Sequence, residues 1–136
     1  MKPGVARSDT LGVPGNELQS RILCWVLRLV TFLKTLPRDY ITAAMARQLV
    51  RSGTSIGANY TEAQCGASRR DFANFVRHAL KSARESEYWL IVLSQTTPLS
   101  NSTELRWLQG ELNQVVRMLY AITIKTTNAP LLQPDS

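Results

Sequence analysis

Apolar residues recur along this chain at alternating four- and three-residue steps, the period of a helix face turned toward a core. The first run is Leu18, Ile22, Trp25, Leu29, Phe32 and Leu36. It predicts a helix that opens at Asn16, with Gln19 as capping-box partner, and stops at Pro37. Leu23, Val26, Leu27, Val30 and Leu33 lie off that seam. The apolar arc therefore covers roughly 220°, about twice what a surface helix needs. A single small bundle covers only one side of such a helix, so a second subunit is expected to cover the other.

The second helix is predicted from Asp39 to about Gln64, on the seam Ile41, Met45, Leu49, Ser52, Ile56, Asn59 and Ala63. Its middle is small: Ser52, Gly53, Thr54, Ser55, Gly57 and Ala58. Each helical glycine costs up to about 1 kcal/mol relative to alanine. A closely approaching neighbour would make that tolerable, and we read one continuous helix; a break at Gly53–Gly57 is the alternative. The segment is not a phosphate loop, because it lacks the GxxxxGK[ST] pattern and no strand precedes it. Gly66 stands where a C′ glycine ends a helix, and Ser68 can cap the third, with Asp71 in its first turn. That helix has the seam Phe72, Val76, Ala79, Ala83, Ser86, Leu90 and Leu93 and ends before Pro98. Its small centre should face the small centre of the second helix. The fourth starts near Asn101, with Glu104 closing an N-x-x-E box. Its seam is Leu105, Leu108, Leu112, Val115, Leu119 and Ile122, and it fades after Lys125.

No run of period two suggests a strand. Short connections between long helices force antiparallel neighbours, so the fold class is all-α, an up-down-up-down four-helix bundle over residues 16–126. Residues 1–15, with three glycines and two prolines, and 127–136, with two prolines, are expected to be flexible.

Composition narrows the function. At 136 residues the chain builds one core. One histidine and two cysteines offer no metal-ligand cluster and no disulfide framework, so neither metal nor cofactor is expected. Ile22–Leu36 carries Arg28 and Lys34 and is too short to span a bilayer, and no secretory pattern opens the chain. A cytoplasmic protein with Cys24 and Cys65 reduced is expected. Lysine and arginine number 16 against 10 acids, a net charge of +6 that suits an acidic partner such as nucleic acid.

The third helix separates its faces. Arg70, Arg77, Lys81 and Arg84 fall within roughly 60° of one another, opposite the apolar seam, and Tyr88 shares their stripe. A basic line with an aromatic on a rigid helix suits phosphate binding. A solvated face with a Lys81–Glu85 pair is the plainer alternative. Asn59 points into the seam and Glu87 lies about 60° from it, which suggests a buried polar clamp that sets helix register; an acid/base site is the other reading. An enzyme would have to use Glu62, Glu85 or Glu87, without a nucleophile or a nearby histidine, so no enzymatic activity is expected. His78 reads as a surface residue, and Trp25, Trp89 and Trp107 as core or subunit-contact aromatics.

The run from Gly53 to Leu93 resembles the family of proteins encoded in intervening sequences of bacterial 23S ribosomal RNA genes, also described as four helix bundle proteins. Ser55, Ile56, Asn59 and Glu62 match its SI-x-x-N-x-x-E pattern, and Asp71 and Phe72 its D/E-F opening of the third helix. Ala79, Leu80, Ser82, Ala83, Glu85, Tyr88, Trp89 and Leu90 match its A-L-x-S/E-A-x-E-x-x-Y-W-L run. Ala63 stands where many members carry glycine, and Ser86, before Glu87, where threonine is commoner. The resemblance implies a ring-like homopentamer without known enzymatic activity. A related branch, the accessory variability protein of diversity-generating retroelements, implies binding to RNA or DNA and to a reverse transcriptase. The expected function is a basic, oligomeric nucleic-acid-binding scaffold; a protein–protein interaction module is the alternative.

Overall fold

Three of the helices begin where a side chain satisfies one of their first free N–H groups. The computed structural model describes residues 17–66, 68–98 and 102–132. It contains four helices: α1 (Glu17–Leu33), α2 (Tyr40–Gln64), α3 (Arg69–Thr96) and α4 (Thr103–Leu132). No strand occurs among the described residues. Asp39 caps α2, its Oδ2 accepting from the Thr42 N–H at 3.0 Å. That hydrogen bond holds the Asp39 carboxyl below its ordinary range. Ser68 caps α3 by accepting from the Asp71 N–H at 3.0 Å, as its position in the sequence suggests. Ser102 caps α4 by accepting from the Leu105 N–H at 3.1 Å. The expected caps of α1 and α4, Asn16 and Asn101, lie outside the described residues, as do residues 1–15. Glu104 turns to α1, where an arginine offers two donors.

α1 buries the row read from its period: Leu18, Ile22, Trp25, Leu29, Phe32 and Leu36. α3 does the same from Val76 to Leu93, with Ala73 taking the place expected of Phe72, which is half-buried. The phase of α2 differs from the expected seam. Thr42 and Tyr60 are buried, Ile41 is 61% exposed and Asn59 is half-buried. The buried arc of α2 is drawn toward α1 at the glycines, where Gly53 is itself buried against Leu29 and Trp25.

α2 is continuous through Gly53 and Gly57. A Cβ on Gly53 would sit 2.5 Å from Leu29 Cδ2 and 3.2 Å from Trp25 Cζ3, so its bare backbone is the space into which α1 packs. On the α3 side, Ser52 Oγ and Ser86 Oγ share a hydrogen bond of 2.8 Å in the buried interior. Each Oγ also lies within reach of a carbonyl of its own helix, Ser52 of Leu49 and Ser86 of Ser82, so that one hydroxyl donates across the helices and the accepting one donates to its own carbonyl. The small centres of α2 and α3 thus meet as their sequences suggest. Gly66 follows the C-cap Cys65, but its backbone is not left-handed. It is small because a Cβ would lie 3.3 Å from Ala63 O, Asp71 Cβ and Phe72 N, where the turn presses on α3.

α4 closes the bundle against α1 and α3. The Arg21 guanidinium donates to both Glu111 oxygens at 2.8 and 2.9 Å, and that of Arg28 to both Glu104 oxygens at 3.0 and 2.7 Å. Between them Trp25 Nε1 donates to the Leu108 carbonyl at 2.9 Å. Partners descend along α4 as they ascend along α1. α4 also runs past its expected end near Lys125, to Leu132, so residues 127–132 are helical and do not form a tail. Thr123 is still buried and Thr126 half-buried, so packing carries the helix onward.

Candidate nucleic-acid interface

The position of each acid decides where positive charge remains. α4 has two acids, Glu104 and Glu111, and both turn to α1, where Arg28 and Arg21 hold them. The Arg28 hydrogen bond keeps the Glu104 carboxyl below its usual range, and the same pair raises Arg28. Arg28 also lies 3.6 Å from the centre of the Trp107 ring, a cation–π contact that fixes it on this flank. Glu85 of α3 turns the other way, to Arg51 of α2. Lys81 therefore does not find the i,i+4 partner that a solvated face would offer it.

On the remaining flank Arg77, Lys81, Arg84, Arg106 and Arg117 form no ion pair among the described residues. Arg70, Arg77, Lys81, Arg84 and Tyr88 are all exposed on α3, as the sequence stripe predicts. Arg77 donates to Asn74 Oδ1 at 2.9 Å, a neutral partner that leaves its charge uncompensated. Neither Lys81 nor Arg84 has an ion-pair partner among the described residues. α4 adds a second row beside them. Arg106, Asn113, Arg117, Tyr120 and Ile124 are exposed and fall within roughly 60° of one another on the side of α4 nearest α3. Arg117 donates to Asn113 Oδ1 at 3.1 Å, again a neutral partner. The α4 row was legible in its own wheel, since five outward positions repeat at helical spacing; attention to the apolar seam passes it over.

A shallow depression of about 260 Å³ between the two rows is lined by Glu87, Leu90, Ile91, Gln109, Leu112 and Asn113. Its lining sets the Glu87–Ile91 turn of α3 against the Gln109–Asn113 turn of α4, and at equal helical rise this register puts Arg117 about level with Arg84 and Tyr120 about level with Lys81. Glu87 is the one carboxylate lining this flank among the described residues, and it is half-buried.

The expected Asn59–Glu87 clamp is not formed. Asn59 Nδ2 donates to the Ser55 carbonyl of its own helix at 2.9 Å. The Ser52–Ser86 contact puts Asn59 level with Ala79, eight residues or about 12 Å of helix from Glu87. The buried polar pair that ties α2 to α3 is Ser52 with Ser86, a pair the sequence reading takes only as small residues. Ser55 donates to the Arg51 carbonyl at 2.8 Å, Ile56 is core, and Glu62 and Asp71 are exposed. Glu62, Glu85 and Glu87 are not brought together: Glu62 is level with Val76, about two turns from Glu85. His78 is exposed, with its ring 6.3 Å from that of Phe75. Trp25 is core, whereas Trp89 and Trp107 are half-buried at helix seams.

Residues 21–121 match the pattern of the 23S rRNA-intervening sequence protein family. The chain belongs to that family. Among solved structures it is similar to a protein of unknown function from the S23 ribosomal protein family of Bacteroides thetaiotaomicron. The two are 34% identical and superpose with a TM-score of 0.72, over 79% of this chain and 98% of that one. No curated protein matches the chain. In this member of the 23S rRNA-intervening sequence family, no described helix is long and apolar enough to cross a membrane.

Proposed function

We propose that this protein is a non-enzymatic helical scaffold, an up-down-up-down bundle that assembles into a ring-like homopentamer and binds RNA or DNA. One observation carries the nucleic-acid reading. The acids of α3 and α4 that form ion pairs, Glu85, Glu104 and Glu111, do so at the α2–α3 and α1–α4 seams. Arg77, Lys81, Arg84, Arg106 and Arg117 are left exposed on one flank. Such a face attracts a polyanion through phosphate contacts and counterion release. The family's name, which refers to 23S ribosomal RNA, makes a structured RNA the natural first probe. Binding should weaken linearly in log affinity against log salt, by a slope of about 0.9 per duplex phosphate neutralised. Replacing Arg77 and Lys81 by glutamine should weaken binding and flatten that slope with little effect on stability. Wild-type protein that shows no salt-sensitive binding would favour the protein-interaction reading.

Assembly is supported by the opposite flank. Val30, Leu33, Leu36, Pro37, Ala43, Ala46 and Val50, together with Lys34, Arg38 and Arg47, line an open groove of about 480 Å³ between α1 and α2, and Leu27 beside it is 52% exposed. Light scattering should give several times 15.2 kDa, with five copies expected. A monomer at micromolar concentration would sink the ring. A reverse transcriptase is the protein partner proposed for such a scaffold, to be tested by co-purification.

A further inference from the structure

The α3–α4 flank carries more than charge. Tyr88 and Tyr120 are 57% and 50% exposed on its two rows. Tyr88 is held in place from behind. Its ring lies 5.1 Å from that of Trp89, edge to face. Trp89 Nε1 donates to Glu85 Oε2 at 3.2 Å, and Arg51 of α2 holds the same carboxylate. Three side chains from two helices thus brace one outward aromatic ring.

The order of groups along the flank is regular. Tyr88 comes first; Arg84 and Arg117 follow side by side about one turn on; Tyr120 and Lys81 come about one turn further; Arg77 closes the series. At 1.5 Å of rise per residue the two tyrosines are about 10 Å apart along the bundle. A helix spacing of about 9 Å sets them roughly 14 Å apart at the backbone, with the arginine pair between. An aromatic, a pair of cations and a second aromatic offer stacking faces and phosphate partners in turn. A duplex cannot use the rings, because its bases are already stacked and paired. An unpaired strand can use both.

We propose that this flank binds single-stranded nucleic acid. Tyr88 and Tyr120 stack on bases, and Arg84, Arg117, Lys81 and Arg77 neutralise the phosphates. The proposal rests on the nucleic-acid reading above and narrows it to one class of ligand. Bases of any identity have a stacking face, so sequence preference is weak.

The test uses the full chain with labelled 20-nucleotide oligo(dT) and oligo(U), against 20-base-pair DNA and RNA duplexes, over a salt series. Single strands should bind more tightly than duplexes. Tyr88→Leu and Tyr120→Leu should each weaken single-strand binding by roughly 5- to 30-fold, as expected for loss of one stacked base. The same variants should change duplex binding by less than about twofold. Arg84→Gln with Arg117→Gln should weaken both and flatten the salt slope. If the tyrosine variants bind single strands as wild type does while the arginine variant loses affinity, the stacking proposal falls and the nucleic-acid reading stands. If neither strand form binds wild type in a salt-sensitive way, both fall. Light scattering on each variant reads assembly separately. A tyrosine substitution that splits the oligomer would overturn the proposal by making that ring a subunit contact.

Discussion

Alanine should have opposite effects at two glycines of this protein. Gly53, Gly57 and Gly110 all lie within helices, so replacing any of them gains about 1 kcal/mol of helix propensity. The surroundings then decide the sign. At Gly110 no heavy atom lies within 4 Å of the new Cβ, and the gain is realised in full. At Gly57 the Cβ would meet Ile22 Cγ2 at 3.5 Å, an ordinary contact, and the variant should again be more stable. At Gly53 it would lie 2.5 Å from Leu29 Cδ2, where carbon atoms rest about 3.5–4.0 Å apart. Leu29 has no exposed surface, and its neighbour Trp25 is pinned by the Leu108 carbonyl. The methyl must therefore move about 1 Å inside a filled core, and overpacking of that kind costs about 1–3 kcal/mol. Net of propensity, Gly53→Ala should lose about 1 kcal/mol, placing it about 1–3 kcal/mol below Gly110→Ala. For a domain of this size each kilocalorie moves the thermal midpoint by about 3–6 °C. Thermal and urea unfolding at one fixed protomer concentration measure it, because assembly makes the midpoint concentration-dependent. Adding Leu29→Val, which removes the clashing atom, should recover at least about 0.5 kcal/mol as a coupling energy. If Gly53→Ala were as stabilising as Gly110→Ala, the close packing of α1 onto α2 would be wrong.

Three further outcomes follow from the same packing. Ser86→Leu would force a larger side chain between α2 and α3 at a position with no exposed surface, and should destabilise by about 1–3 kcal/mol in urea unfolding. Removing the α4 cap in Ser102→Ala should lose about 1 kcal/mol, whereas an unchanged midpoint would show that the hydroxyl is not the cap. Glu104 is held below the ordinary carboxylate range by Arg28, so its contribution is complete above that range and lost as pH falls through the lowered value. The gap between the thermal midpoints of wild type and Arg28→Gln should therefore narrow as pH falls from 7 toward 3, leaving only the part due to the Trp107 contact; a gap that does not narrow in acid would deny the pair its role.

The apolar rows of α1 and α3 show where local pattern is sufficient. The α1 row from Leu18 to Leu36 and the α3 row from Val76 to Leu93 are buried as their period requires. Ser68 is a cap because a hydroxyl three residues before an N–H can reach it in any protein. The basic stripe of α3 was legible for the same reason, since side chains at helical spacing share a face whatever surrounds them. On α2 that reasoning weakened, because Gly53 faces one neighbour and Ser52 another, and periodicity sums the two into one seam.

What the chain by itself determined is thus whatever a single helix needs: its period, its caps, the breadth of its apolar arc and the side on which its arginines stand. Which acid meets which cation depends on pairs far apart in sequence, Arg21 with Glu111, Arg28 with Glu104 and Arg51 with Glu85. No local rule ranks those above nearer partners such as Lys81 with Glu85. Only the packed bundle turns these carboxylates toward other seams, sets the exposed rows of α3 and α4 next to each other, and leaves that flank positive. The reason is distance: ion pairing acts over a few ångströms, and tertiary packing sets which groups come that near.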